Sequence, residues 1–258
     1  MASGAATEKF TPPPTSELPR GHGLPMLTAM AGLFLCACLF RGWREMDGMG
    51  IAALGSGLWA FPPSRDSDGG TAWLLHSQSG ASVLVDVPLL SDEHLSWLQQ
   101  QPRGWIVLTH RQGHGRCRRL QEQLGWPVLV QEQEAYLLPT LQQRHSFGEQ
   151  RELEPGLQLL WTPGPTPGSC CLHWSQGRRD VLFCGRLLWP RGLEDVEMRI
   201  GDSTFHSTRQ QRSVGRLRTW LDAGQPAQIA CAAGLGVLRG AKLVERGSVA
   251  IDTLIARN

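Results

Sequence analysis

The stretch at residues 105–125, WIVLTHRQGHGRCRRLQEQLG, decides how the rest of the chain is read. Its first five residues, WIVLT, form a continuous apolar run of the kind that makes a strand buried on both faces. The run stops at Thr109-His110, and a second histidine, His114, follows four residues later. Beyond Gly115 the period changes. Cys117, Leu120 and Leu124 fall at i, i+3 and i+7, one face of a helix, and Gly125 is a natural stop. A strand that ends in histidines just before a helix is a place where a loop can present ligands to a metal. Whether this loop does so depends on what the rest of the chain brings to it.

Upstream, TAWLLHS and ASVLVDV read as strands joined through Gln78-Ser79-Gly80. LSDEHLSWLQQQ reads as a helix with Ser91 as N-cap, Glu93-His94 in its first turn, and Leu90, Leu95 and Trp97 on its buried side. Downstream, WPVLVQ is a strand and EAYLLPTLQQ is short and helical. LQLLWTP, SCCLHWS and DVLFCG are further strands. TRQQRSVGRLRTWLDAG places Val214, Leu217 and Leu221 at helical spacing with Gly224 at its end. AQIACAAG returns to a strand, and the C-terminal stretch from Gly240 reads as a closing helix weakened by Gly247. Trp73, Trp105, Trp161 and Trp174 fall in or beside these strands, where core packing is the ordinary role. Strand runs with interspersed helices predict an α+β or layered α/β domain over residues 56–258. There is no internal repeat, heptad pattern or GxxxxGK[ST] phosphate loop.

Composition narrows the function. A formal net charge of +2 over 258 residues argues against a general nucleic-acid binder. The seven cysteines, at 36, 38, 117, 170, 171, 184 and 231, are odd in number and irregular in spacing, which suits reduced thiols in an intracellular compartment. No CxxC pair exists, so structural zinc or iron–sulfur sites of the usual spacing are not expected. Residues 1–23 are Pro-, Gly- and Thr-rich and are expected to be disordered. Within residues 24–45, the apolar run 24–40 is shorter than the roughly 20 residues a spanning helix needs. Its role stays open between a membrane anchor, a peripheral helix and upstream sequence that is not in the mature protein.

Three local motifs stand in a telling order: LTHRQGHG at 108–115, TPGPTPGSCCLHW at 162–174 and VLFCGRLL at 181–188, with VLVDVP at 83–88 ahead of them. Together they resemble the metallo-β-lactamase fold superfamily over roughly residues 56–258. That family's signature is a strand ending Thr-His-x-His-x-Asp-His, then a Thr-Pro-Gly-His-Thr-Pro-Gly-Ser turn, then a strand ending Gly-Asp. The resemblance implies an α+β fold in four layers, an αββα sandwich of two face-to-face sheets between outer helices. It also implies one or two metal ions that acidify a water for hydrolysis. The details, including Gly-Arg for Gly-Asp, look like a divergent cyanobacterial and plastid-type branch, which implies a cytoplasmic or stromal protein.

Carried over residue by residue, the implied ligand set is mostly replaced. His110 holds the first histidine position. Gln112 stands at the second, His114 at the aspartate position and Gly115 at the adjacent histidine. Pro165 replaces the histidine of the central turn, Arg186 the bridging aspartate, and Leu235 is the counterpart of the closing histidine. Proline, glycine and leucine offer no side-chain ligand, and arginine brings a permanent positive charge to the metal's place. No metal or other cofactor is therefore expected, with zinc on His110 and His114 as the alternative. A rebuilt soft site from His110, His114, Cys117 and Cys184 would demand large rearrangement, because Cys117 is expected to face the core. Arg186 with Arg111 and Arg116, and with Arg118 and Arg119 nearby, suggests a site for a small anion, unless these arginines simply pair with ordinary acids or face solvent. The expectation is a non-catalytic binding protein for a small anion or a protein partner. The alternative is a hydrolase of esters, thioesters or phosphodiesters with an altered or single-metal site. Other chemistries find no footing. TPGSC around Ser169 is not a GxSxG nucleophile elbow, Asp86 reads as a structural acceptor at a strand end, and His206 sits on a loop.

Overall fold

The computed structural model describes residues 44–45 and 48–257. The apolar run at 24–40 and the segment 1–23 lie outside the described residues. Among the described residues, no helix is long and apolar enough to cross a membrane.

Eight strands form the first sheet in their chain order: β1 (Arg44–Glu45), β2 (Ala52–Ala53), β3 (Leu58–Ala60), β4 (Trp73–His76), β5 (Ser82–Val85), β6 (Gly104–Leu108), β7 (Val128–Gln131) and β8 (Arg144–Phe147). β1 to β5 pair antiparallel; β5 to β8 pair parallel. The parallel steps need crossovers. These are supplied by α1 (Asp92–Gln99) and α2 (Cys117–Leu124), and the last contains the short α3 (Glu132–Ala135). The second sheet holds β9 (Gln150–Glu154), β10 (Leu157–Trp161), β11 (Cys170–Gln176) and β12 (Arg179–Phe183). The hairpin β13 (Trp189–Gly192) and β14 (Asp195–Glu197) and the helix α4 (Ser207–Trp220) then precede β15 (Gln228–Ala230), β16 (Val244–Glu245) and α5 (Gly247–Arg257). The order across this sheet is β16-β15-β12-β11-β10-β9.

Alternation along the strands builds the layers, because successive side chains point to opposite faces. Trp73, Leu75, Val83, Val85, Leu172, Trp174, Val181 and Phe183 meet in one core between the sheets. Their neighbours Leu74 and Leu84 face outward onto Trp97 and Leu98 of α1 and Cys117 and Leu120 of α2. Cys171 and Leu182 face the opposite way onto Val214 and Leu217 of α4 and Ile251 and Leu254 of α5. Three separate cores thus bind four layers in the αββα arrangement. Each fully buried leucine, valine or phenylalanine contributes on the order of 1.5–3 kcal/mol.

Local signals explain most of the elements. Ser91 caps α1, its Oγ accepting from the His94 N–H at 3.2 Å. Gly125 ends α2 at φ +65, its N–H bonded to the Gln121 carbonyl. Several expectations need correction. The buried side of α1 is His94, Trp97 and Leu98; Leu95 and Leu90 are only partly covered. The ring nitrogens of His94 lie 2.8 Å from the carbonyls of Leu89 and Met49. With β1, β2 and the buried Ile51, that contact carries the domain upstream of residue 56. EAYLLPTLQQ is not a helix of its own; only its first two residues, Glu134 and Ala135, belong to the single turn α3. Gly247 does not weaken the last helix but begins it. A Cβ there would lie 2.8 Å from Ile229 Cγ1 and 2.9 Å from the Pro226 carbonyl oxygen, so the position is one of close approach.

Candidate functional site

Loops from both sheets converge at one end of the sandwich. The Cys170 N–H donates to the Thr109 carbonyl at 2.8 Å, and the Ala232 N–H donates to the Gly185 carbonyl at 2.9 Å. These bonds tie together the ends of β6, β12 and β15 and the start of β11. Asp86, at φ +61 after β5, is the anchor. Its Oδ1 accepts from the Thr109 N–H at 2.8 Å, and its Oδ2 accepts from the Thr109 hydroxyl at 2.6 Å. The Thr109 Oγ1 lies 2.9 Å from His110 Nδ1. The role of Asp86 as a structural acceptor is therefore what the geometry gives. Burial pushes its carboxyl from 3.8 up to about 7, against the Thr109 hydrogen bonds and the Arg186 charge. Burial also holds His110 well below the ordinary imidazole range, and the charges of Arg186 and His114 add to this. Two glycines make the packing possible. A Cβ on Gly113 would lie 2.2 Å from Asp86 Oδ1, and one on Gly185 would lie 2.8 Å from Thr109 Oγ1.

His114 meets a residue that sequence reasoning missed. Glu134, on α3, is buried; its Oε1 accepts from the Gly168 N–H at 3.1 Å and from Arg111 Nε at 3.3 Å. Its Oε2 lies 3.8 Å from His114 Nε2. Burial lowers His114 to about 4, opposed by Glu134 and reinforced by Arg111. Gly168 belongs to the TPGS turn, where a Cβ would lie 2.7 Å from Glu134 Cγ. The turn thus packs against a carboxylate rather than presenting a ligand.

Arg186 does point into the site region, but carboxylate and carbonyl oxygens hold it. Its Nη1 donates to Asp68 Oδ2 at 3.1 Å, and its Nη2 donates to the carbonyls of Ser67 at 3.0 Å and Asp68 at 2.7 Å. Arg116 pairs with Asp66 at 3.0 Å and Arg111 with Glu134. The three arginines expected to share one anion are therefore each matched to an acid, and they do not converge. Arg186 lines a cleft of about 240 Å³ with Gln112, Pro165, Trp189 and Arg199, and Arg116 lines a different one. In the first cleft the guanidinium carbons of Arg199 and Arg186 lie 4.3 and 5.7 Å from the Trp189 ring centroid. Leu235, on a 3-10 turn, is half-buried against the inner core and the core of the second sheet. His206 caps α4, its Nδ1 accepting from the Arg209 N–H at 3.4 Å, and so is not a free loop residue. Ser169 Oγ is held by Thr166.

The donor set does not fit the metal centre that the fold implies. Gly115, Pro165 and Leu235 offer nothing, and Arg186 brings a cation. Cys117 lies in the core of the first sheet and helices, whereas Cys184 lies in that of the second. Neither reaches the histidines. Among the described residues, no three His, Cys, Asp or Glu residues group as a metal site would require. What remains is a pair of buried histidines, His110 and His114, whose Nε2 atoms have no hydrogen-bond partner among the described residues.

Comparison with known proteins agrees with the fold. The sequence model of the family described as "Metallo-beta-lactamase superfamily" matches residues 102–223, from the start of β6 to just past α4. No curated protein matches the sequence. Among solved structures, a metallo-beta-lactamase from Erythrobacter litoralis aligns with a TM-score of 0.59 at 12% identity, over 84% of this chain and 100% of that one. The BLEG-1 B3 metallo-beta-lactamase aligns with a TM-score of 0.56 at 17% identity, over 74% of this chain and 95% of that one. A Cronobacter sakazakii metallo-beta-lactamase described by its HARLDQ motif aligns at 0.52 with 18% identity, over 80% and 94%. These likenesses speak to the fold. The three sequence motifs in order, the four-layer architecture, the family match over residues 102–223 and these structural likenesses together give the chain the metallo-β-lactamase fold.

Proposed function

We propose that this chain is a metal-independent member of the metallo-β-lactamase superfamily that binds a small anion, a phosphate or a carboxylate, in the Arg186 cleft. The observation that carries the reading is Arg186 itself. It stands where the resemblance puts the bridging aspartate, its side chain is nearly buried, and its Nε has no hydrogen-bond partner among the described residues. Asp68 neutralises one edge of the guanidinium, and the buried Nε keeps its donor unsatisfied. Gln112 and the second guanidinium, Arg199, line the same cleft. A planar guanidinium beside a second cation suits a charge-assisted bond to an oxyanion. Calorimetric titration with inorganic phosphate and with acetate tests this, beside Arg186→Ala. The expected result is binding to the wild type that is lost in the variant. Unchanged binding, or none in either protein, overturns the reading.

A second reading is favoured by one observation, the two unpartnered Nε2 atoms of His110 and His114. It is a hydrolase of esters, thioesters or phosphodiesters with a single metal. Elemental analysis of protein produced with zinc, iron and manganese present separates the two. One metal per chain, lost in His110→Ala, establishes the second reading; substoichiometric metal indifferent to that change favours the first.

A further inference from the structure

A second cleft, of about 490 Å³, opens between α2 and the connection that follows α3. It is about twice the size of the Arg186 cleft and shares no lining residue with it. Its volume falls within the roughly 300–1,000 Å³ of small-molecule sites. The walls are fastened. Gln121 Oε1 accepts from the Gln142 N–H at 3.2 Å, and Gln121 Nε2 donates to the Gln143 carbonyl at 3.2 Å. Arg144 Nη1 donates to the carbonyls of Ala135 at 2.7 Å and Leu138 at 3.0 Å. The cleft is thus pre-formed, which lowers the ordering cost of binding.

Its lining has two chemistries. Leu137, Leu138 and Leu141 form an apolar side, on which Leu137 keeps 38% of its surface exposed. Next to it Tyr136 is 67% exposed, so the apolar surface continues past the rim. Arg116, Arg118 and Arg119 form the other side, with Glu122 as the single acid of the lining. Glu122 is taken by Arg118 at 2.9 Å, and Arg116 is turned away to Asp66. Arg119 makes no ion pair among the described residues. An exposed leucine surface beside an unmatched guanidinium calls for a ligand that is apolar at one end and anionic at the other.

We propose that this cleft is a second binding site, separate from the Arg186 site, for a small amphipathic anion whose acyl or aryl part lies on Leu137, Leu138 and Leu141 and whose carboxylate or phosphate meets Arg119. The test is calorimetric titration of the full chain with decanoate, acetate and decanol, repeated in the Arg186→Ala background so that the smaller cleft contributes nothing. Arg119→Glu and Leu137→Asn both alter exposed side chains, so the fold is kept. The expected result is one decanoate per chain in the Arg186→Ala background. Acetate should give no heat in Arg186→Ala, decanol should bind more weakly than decanoate, and each cleft variant should weaken decanoate by about tenfold or more. The proposal is overturned by no decanoate binding up to about 1 mM, by decanol binding as tightly as decanoate, or by an affinity indifferent to both cleft variants. Association with phosphatidylserine vesicles but not with monomeric decanoate also overturns it, because the surface would then read a membrane and not a free ligand.

Discussion

Gly113→Ala should be among the most damaging small substitutions in this chain. The added methyl carbon would lie 2.2 Å from Asp86 Oδ1 and 2.5 Å from Asp86 Cγ, where ordinary contact is roughly 3.5 Å or more. Two relaxations are open. Asp86 can swing away, which breaks the 2.8 Å and 2.6 Å bonds to Thr109 and strands a buried N–H, at about 1–3 kcal/mol for each buried group left unpaired. Alternatively the turn can shift, which strains the 2.9 Å bond from the Val87 N–H to the Gly113 carbonyl and carries an overpacking cost of about 1–3 kcal/mol. The first route predicts a loss of about 2–6 kcal/mol and the second about 1–3 kcal/mol, either a sizeable part of the 5–15 kcal/mol typical of a domain. Urea denaturation reads it as a lower midpoint at unchanged slope. The mechanism has its own control. In an Asp86→Ala background the methyl group meets no carboxylate, so Gly113→Ala should cost far less there than in the wild type. A single-variant loss below about 1 kcal/mol, or equal losses in both backgrounds, would refute the steric argument.

Two further outcomes follow from the same structure. Gly215→Ala, inside α4 with no atom within 4 Å of the added Cβ, should raise stability by about 0.5–1 kcal/mol in the same urea assay, and a loss would show that the position is not open. Because burial lifts Asp86 from 3.8 to about 7, the folded chain between those values keeps a proton that the unfolded chain has released, so this group's contribution is full below the lower value and falls by up to about 4 kcal/mol as pH rises through the upper one. Asp86→Asn removes that titration and should gain stability relative to the wild type between about pH 4 and pH 8; a difference flat with pH means that the carboxyl does not titrate in this window.

Much of the fold was readable because burial writes itself into periodicity. WIVLT, ASVLVDV and DVLFCG are strands in the structure, and the i, i+3, i+7 residues of α2 face a core as their spacing requires. The elements that escaped are those whose burial is one-sided or slight. β8 reads RHSF and β9 reads QRELE; both lie at sheet edges and carry charged or polar residues that hide the alternation. The hairpin β13–β14 contains Pro190, which argues against a strand when read alone.

The site divides along the same physical line. Side-chain identity is a property of the sequence, so it is plain without coordinates that Gly115, Pro165 and Leu235 offer no side-chain ligand and that Arg186 brings a cation. The acceptor role of Asp86 was also legible, since a carboxylate closing a buried strand must find donors. Charge matching was not. Arg186 is answered by Asp68 at 118 residues' separation, Arg116 by Asp66 at 50 and Arg111 by Glu134 at 23. Glu134 itself reads as an ordinary polar residue at the start of a short helix, and only packing buries it against His114 and Gly168. The layers and the chemistry of each side chain are legible without coordinates, because hydrophobic period and residue identity are local. Which arginines are neutralised and which, like Arg119, make no ion pair among the described residues emerges only on folding, because Coulomb interactions depend on distances that the folded chain sets.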